Sequence, residues 1–285
     1  MSEADDSLVR MAYATAAHGA RIWFTTHGDH GEPLVLVAGT ALDHHAWQTV
    51  IEEFSANHRL VLFDHRGVGQ SDAVFPATWS TRDFARDVVS VLDAADVDRA
   101  HVYGHSMGGR VAQWLAADAP ERVAALVLGG TSVGEAHGVR RPAEATKALT
   151  GTDMTALRAM FYTPEWIERN PEQAGAVLPN ARTPQALQAH LTAAMGHDGW
   201  DALPHIAAPT LVIHGGDDPV TLPGNATLLA EHIAGAELDI IDGARHVYWA
   251  GFPEANAHII DFLARHPTKV RTPQHSRRPV AVRDE

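Results

Sequence analysis

Six short runs of consecutive apolar residues punctuate the chain, at 33–39, 59–64, 100–104, 123–128, 210–214 and 237–241. Unbroken runs of this length predict strands of a parallel sheet whose two faces are both covered. Stretches with helical spacing separate them, at 81–95, 107–117, 226–234 and 255–265. In the first of these, Phe84, Val88, Val89 and Leu92 share one face. Strand–helix alternation of this kind predicts an α/β fold with an open, mostly parallel central sheet and right-handed crossovers. Ahead of it, 11–16 and 21–26 read as an antiparallel edge hairpin joined by Ala17-His18-Gly19.

The alternation stops between about residues 134 and 200, where helical periods continue without a convincing strand. Met154, Met160, Phe161, Tyr162, Trp166, Met195 and Trp200 fall in or at the edge of this stretch. It is expected to form a helical cap over the carboxyl edge of the sheet; an ordinary pair of packing helices is the plainer alternative. The predicted organisation is a core in two parts, 1–133 and 201–267, interrupted by the cap at 134–200. Residues 268–285 are rich in Pro, Arg and His without periodicity, and a disordered tail is expected there.

Composition narrows the function classes. The chain has 285 residues and no cysteine, so disulfides, thiol chemistry and thiolate metal sites are excluded. Lys and Arg number 22 against 35 Asp and Glu, a net charge of −13 that opposes binding to nucleic acid or anionic membranes and favours solubility. No apolar run approaches the ~18 residues of a membrane span. The acidic, polar start at 1–6 lacks the basic-then-apolar pattern of a secretory signal, so a cytoplasmic location is expected. A small-molecule substrate is the expected partner, and a homo-oligomer is compatible with the composition.

The strongest chemical signal is Gly104-His105-Ser106-Met107-Gly108, placed between the predicted strand at 100–104 and a helix of small residues. A sharp strand-to-helix turn lifts a serine hydroxyl above the sheet edge, and glycines are needed where strand and helix approach too closely for side chains. Serine is a weak nucleophile at neutral pH and needs a base, a group that orients the base, and donors for the oxyanion. The residues alone nominate Ser106 as nucleophile.

These residues resemble the α/β-hydrolase fold superfamily. The stretch 104–116 (GHSMGGRVAQWLA), Pro120-Glu121-Arg122-Val123 and Asp64-His65-Arg66-Gly67-Val68-Gly69-Gln70-Ser71-Asp72 are similar to its esterase, 3-oxoadipate enol-lactonase and metal-free haloperoxidase branch, over roughly residues 10–265. The resemblance implies a catalytic acid in Gly215-Gly216-Asp217-Asp218, where it favours Asp218 and leaves Asp217 as the rival. It implies His246 as base, following the chain order Ser–Asp–His. It implies backbone N–H donors on Thr40 and Met107 for the oxyanion. Many relatives have His-Gly where this chain has Ala38-Gly39, which leaves open how that loop is braced.

Three further signals are weighed against this frame. Asp43-His44-His45 invites a metal, but adjacent histidines are expected to point apart, and neither metal nor cofactor is predicted. Gly67-x-Gly69 lacks the third glycine and downstream acid of a dinucleotide site, and His65 is expected to brace its turn. The candidate pocket residues are Trp47, His105, Phe161, Trp166 and Tyr248, with Tyr162, Trp200 and Trp249 as further aromatics; core packing is the alternative role for each. Arg140, Arg141 and Arg182 are candidates for pairing with a substrate carboxylate.

The expected function is cleavage of a carboxylic ester or lactone through an acyl-enzyme. The resemblance keeps two alternatives on the same triad, perhydrolysis as in the metal-free haloperoxidases and C–C bond hydrolysis. A non-catalytic binding or cyclising protein is the third.

Overall fold

The apolar runs assemble into one eight-stranded sheet in a computed structural model that describes residues 9–73, 78–175 and 179–268. The strands are β1 (Arg10–Thr15), β2 (Arg21–His27), β3 (Glu32–Val37), β4 (His58–Phe63), β5 (Ala100–His105), β6 (Val123–Gly129), β7 (Thr210–Gly215) and β8 (Glu237–Ile241). Their spatial order is β1-β2-β4-β3-β5-β6-β7-β8. Strands β3 to β8 pair in parallel. The expected hairpin is present, running from Arg10 opposite Thr26 to Thr15 opposite Arg21, and β2 docks antiparallel on β4.

The order reverses at β3, which has β4 on one side and β5 on the other. Strand connections leave in opposite directions at such a point, and a crevice opens beyond the carboxyl ends. The ends of β3 and β5, at Val37 and His105, therefore mark where a site belongs.

The helices are α1 (Ile51–Ser55), α2 (Thr81–Ala94), α3 (Met107–Asp118), α4 (Ala143–Thr150), α5 (Met154–Phe161), α6 (Pro164–Arg169), α7 (Pro184–Met195), α8 (Gly224–His232) and α9 (Pro253–Ala264). Successive strand residues feed two separate cores. Val35, Val37, Val61, Phe63, Val102 and Leu126 pack with Phe84 and Val88 of α2, Val111 and Leu115 of α3, and Leu229 of α8. Leu34, Leu36, Leu60, Leu62, Tyr103 and Val127 pack with Phe54 of α1 and Ile259 and Phe262 of α9. This double coverage explains why the strands read as unbroken apolar runs.

Ser80 caps α2 reciprocally with Asp83. The buried stripe of α2 is Phe84, Val88, Val91 and Leu92. Val91 takes the place expected of Val89, because an i, i+4, i+7, i+8 row follows the 3.6-residue turn. Helix α8 starts at Gly224, two residues before the periodic signal.

Between β6 and β7 the described residues form α4 to α7 and no named strand. Leu157 and Phe161 of α5 join the second core, and isolated bridges tie Ala181 to Val68 and Asp198 to Gly134. From residue 269 onward the expected disordered tail lies outside the described residues; Thr268 is buried and donates its hydroxyl to Glu32 at 2.7 Å. Among the described residues no helix is long and apolar enough to cross a membrane.

Candidate active site

Ser106 sits between the last residue of β5 and the first of α3, with φ 55° and ψ −119°. A non-glycine residue at positive φ stores roughly 1–3 kcal/mol of strain and persists only where its surroundings enforce it. Here Ser106 N–H donates to Gly129 O at 2.9 Å, and Ser106 O accepts from the Thr131 hydroxyl at 2.7 Å. The crossing of strand and helix is close. A Cβ on Gly108 would stand 1.9 Å from Val37 O, and one on Gly104 2.4 Å from Gly108 O.

The loop after β7 separates the two adjacent acids. Asp217 is exposed, whereas Asp218 is buried at 1% exposure. Asp218 Oδ1 accepts the N–H groups of Val220 at 2.7 Å and Thr221 at 3.0 Å. Its Oδ2 lies 2.7 Å from His246 Nδ1 and 3.3 Å from His214 Nε2. Burial alone would raise the Asp218 pKa. The two histidines and their hydrogen bonds more than offset it, holding the carboxyl well below the usual range. Asp218 is thus ionised and accepts a hydrogen bond from His246 Nδ1–H, which leaves the His246 Nε2 lone pair free.

His246 follows β8 and borders the same cavity as Ser106. Its loop is tethered on three sides. His246 O accepts from His105 Nε2 at 2.9 Å, Val247 N–H donates to Phe161 O at 2.9 Å, and Arg245 donates to Ala159 O. Burial first, then the nearby His246, push the His105 pKa well down, so its ring is neutral.

Thr40 and Met107 also line this cavity. Met107 is the first residue of α3, where a helix leaves its N–H groups without intrahelical partners. Among the described residues, no backbone acceptor takes the Thr40 N–H. The loop from Ala38 to Ala41 is braced by two histidines from outside it. His65 Nε2 donates to Ala38 O at 3.2 Å. His190, on α7, accepts the Ala41 N–H at Nδ1 at 3.3 Å and donates from Nε2 to Arg66 O at 2.9 Å. Ala41 itself has φ 56°. These contacts answer how the loop is held with alanine at position 38.

The cavity above Ser106 measures about 150 Å³, and Leu42, Leu157, Phe161, Leu187, Leu191 and Val220 are among its apolar wall residues. That is space for a short acyl chain or a single ring.

The known proteins that this chain resembles carry the same architecture. The pattern of the alpha/beta hydrolase fold matches residues 32–172. RutD of Azorhizobium caulinodans, named as a carbamate hydrolase, is 32% identical over 259 residues, covering 86% of this chain and 97% of that protein. The chain belongs to the α/β-hydrolase family. The 3-oxoadipate enol-lactonase 1 of Acinetobacter baylyi is 27% identical, covering 81% of this chain and 88% of its own. The enol-lactonase structure from Burkholderia xenovorans superposes with a TM-score of 0.73 at 26% identity, covering 89% of this chain and all (100%) of that one.

In this α/β-hydrolase the candidate pocket residues divide. His105 and Phe161 line the cavity. Trp47, Trp166 and Tyr248 do not. Trp47 and Tyr248 are buried in the second core beneath the site, where Trp47 stacks on Trp249 at 5.0 Å and Tyr248 shares a 2.7 Å hydroxyl contact with Tyr103. Trp166 stacks on Tyr162 at 4.2 Å and donates to Ala250 O. Trp200 packs against His232 at 4.1 Å, away from the cavity.

The expectation that His44 and His45 point apart fails, since their rings lie 4.0 Å from each other. The Asp43, His44 and His45 ligand atoms all fall within 4.8 Å of one another. Internal partners already engage them: His44 Nδ1 meets Asp64 at 2.8 Å, His45 Nδ1 meets Asp43 at 3.1 Å, and Asn180 donates to Asp43 at 2.6 Å.

Of the three arginines singled out in the sequence, only Arg141 lines the cavity. Arg182 is exposed and donates to Gly69 O at 3.2 Å. Arg110, which sequence analysis gave no role, lines it too. It lies in the first turn of α3, the helix that follows Ser106.

Proposed function

We propose that this hydrolase cleaves a carboxylic ester or lactone through an acyl-enzyme on Ser106. The observation that carries the proposal is the convergence on one cavity of a strained Ser106, a His246 whose Nδ1 meets a buried Asp218 at 2.7 Å, and the amides of Thr40 and Met107.

Ser106 Oγ attacks the carbonyl carbon while His246 Nε2 takes its proton. The oxyanion is stabilised by the Thr40 and Met107 N–H groups. Asp218 stabilises the imidazolium and keeps its orientation. As the carbonyl re-forms, the C–O bond to the alkoxide breaks and His246 returns the proton to that oxygen. In a lactone the alcohol so formed stays attached to the acyl chain. Water then attacks the acyl-enzyme, His246 takes its proton, and Ser106 leaves with it.

The test is labelling by a fluorophosphonate probe together with turnover of short-chain esters. Both are expected to vanish in Ser106→Ala. Near-full ester cleavage by that variant would overturn the proposal. The similarity to RutD favours adding an alkyl carbamate to the panel, since the same attack on a carbamate carbonyl uses the same groups. Carbamate turnover exceeding ester turnover would move the substrate class. Adding peroxide and bromide to the assay separates perhydrolysis.

A further inference from the structure

Strand β7 ends in His214-Gly215, and the turn that follows it carries the proposed acid, Asp218. His214 is fully buried and lies four residues before Asp218. Its Nε2 meets Thr221 O at 2.6 Å and stands 3.3 Å from Asp218 Oδ2, the same oxygen that accepts from His246 Nδ1. On the other side of the ring, Nδ1 has no partner among the described residues. A proton on Nε2 serves both oxygens, whereas one on Nδ1 would be buried without an acceptor. None of the acyl-transfer steps gives this imidazole a task.

The turn is tied in two halves. Its first half is stitched to the loop of His246, where Gly216 N–H donates to Ile241 O at 2.8 Å and Asp217 N–H donates to Ala244 O at 2.9 Å. The approach is close, since a Cβ on Gly215 would stand 2.4 Å from both Ala244 O and Arg245 O. The second half holds Val220 and Thr221, whose amides donate to Asp218 Oδ1. There His214 holds the Thr221 carbonyl. One imidazole therefore fixes a residue that donates to Oδ1 and faces Oδ2 directly. Burial opposes the Asp218 charge, and only well-placed donors offset it. A carboxylate that loses one of them turns toward those that remain, and a misplacement of about 1 Å in such a site costs roughly 100-fold in rate.

We infer that His214 is a positioning residue for the acyl transfer: it clamps the second half of the acid turn through Thr221 O and faces Asp218 Oδ2, so that the carboxylate keeps its aim on His246. The inference rests on the reading of Ser106, Asp218 and His246 as a triad. His105 has the matching place at the base, which it holds from behind through His246 O at 2.9 Å. Acid and base thus each have a buried histidine of their own.

Two substitutions separate the N–H from the space the ring fills. His214→Gln keeps an amide donor close to the place of Nε2, and His214→Leu fills the site without one. On a short-chain ester the leucine variant is expected to lose roughly 10-fold to 100-fold in kcat with KM within about threefold, and the glutamine variant to recover kcat to within about fivefold of the unmodified protein. Fluorophosphonate labelling of Ser106 should follow kcat in both. Thermal melts and circular dichroism report on folding. If leucine unfolds the protein, the glutamine variant decides alone, because a folded glutamine variant that loses more than about 10-fold would overturn the inference. Combining His214→Leu with Asp218→Asn tests the route. If His214 acts through the carboxylate, its loss should cost less than about threefold once that carboxylate is gone. A second full loss of roughly 10-fold to 100-fold in that background would overturn the inference, as would a folded leucine variant with unchanged kcat. Unchanged turnover in Asp218→Asn alone would sink the triad reading and the inference with it, so the two failures are told apart.

Discussion

His190 on α7 holds Ala41 in place, accepting its amide at 3.3 Å and donating to Arg66 O at 2.9 Å. The residue next to Ala41 is Thr40, the proposed oxyanion donor. The segment between β6 and β7 therefore braces the loop that carries this proposed donor as well as lining the cavity. In His190→Leu both backbone groups lose their partner, at a cost of ~1–3 kcal/mol. A displaced oxyanion donor is expected to lower kcat by roughly 10-fold to 100-fold. Steady-state kinetics on a short ester should show this in kcat, with KM within about threefold. A variant that loses stability but keeps kcat would show that His190 only packs.

Asp218→Asn keeps the size of the side chain and can still accept from Val220 and Thr221. It removes the charge and offers an amide where His246 needs an acceptor, which favours the wrong tautomer. Turnover is expected to fall by ~10⁴. The fluorophosphonate labelling rate of Ser106 should fall in parallel, and Asp217→Asn should leave it near the wild-type rate.

Stability should decline on mild acidification. Burial, aided by neighbouring His190, lowers His65 to about 3, and burial, against the Arg66 carbonyl, lowers His190 to about 4. Both folded values lie below the ordinary 6.5. As pH falls below that value the unfolded chain takes up protons that the folded chain refuses. Stability is therefore full above about pH 7 and is lost toward pH 4, by up to ~1.4 kcal/mol per pH unit per histidine. Asp218 acts in the same direction but lower, below its ordinary value of 3.8. Urea titrations at pH 7, 6 and 5 would read the slope. A constant midpoint across that range would contradict it.

Gly108→Ala places a methyl 1.9 Å from a backbone oxygen of β3. Neither strand nor helix can yield without moving Ser106. The cost is expected to exceed ~3 kcal/mol, beyond ordinary overpacking. Thermal melts would show it; Gly108 is helical and free of positive-φ strain, so the loss reads the clash, and Gly243→Ala, which meets nothing within 4 Å and bears only the strain of φ 70°, should cost clearly less.

The layered sheet was legible because each strand is buried on both faces and each helix on one, and both leave a periodic trace. Ser106 was legible because its strained turn needs Gly104 and Gly108 nearby in sequence. Asp217 and Asp218 are neighbours with the same chemistry, and only the turn after β7, through the amides of Val220 and Thr221, sends one of them inward. Trp47 and Tyr248 are as aromatic as Phe161, and no sequence signal tells a side chain below the site from one beside it. Val91 replaced Val89 because a helix face is set by the register of the whole row. His190 and Arg110 were illegible as parts of the site for a different reason. One acts across 149 residues of chain on Ala41, and the other shows its role only once the cavity has walls.

Tyr103 lies three residues before Ser106, and Tyr248 lies two residues after His246. Their hydroxyls meet at 2.7 Å in a fully buried pocket. With the His105 contact, this fastens the proposed base to the strand that leads into Ser106, while the Val247 amide fastens it to Phe161 of α5. The loop that bears His246 therefore cannot act as a gate, because swinging it outward would break a buried hydroxyl pair and carry the base away from the serine.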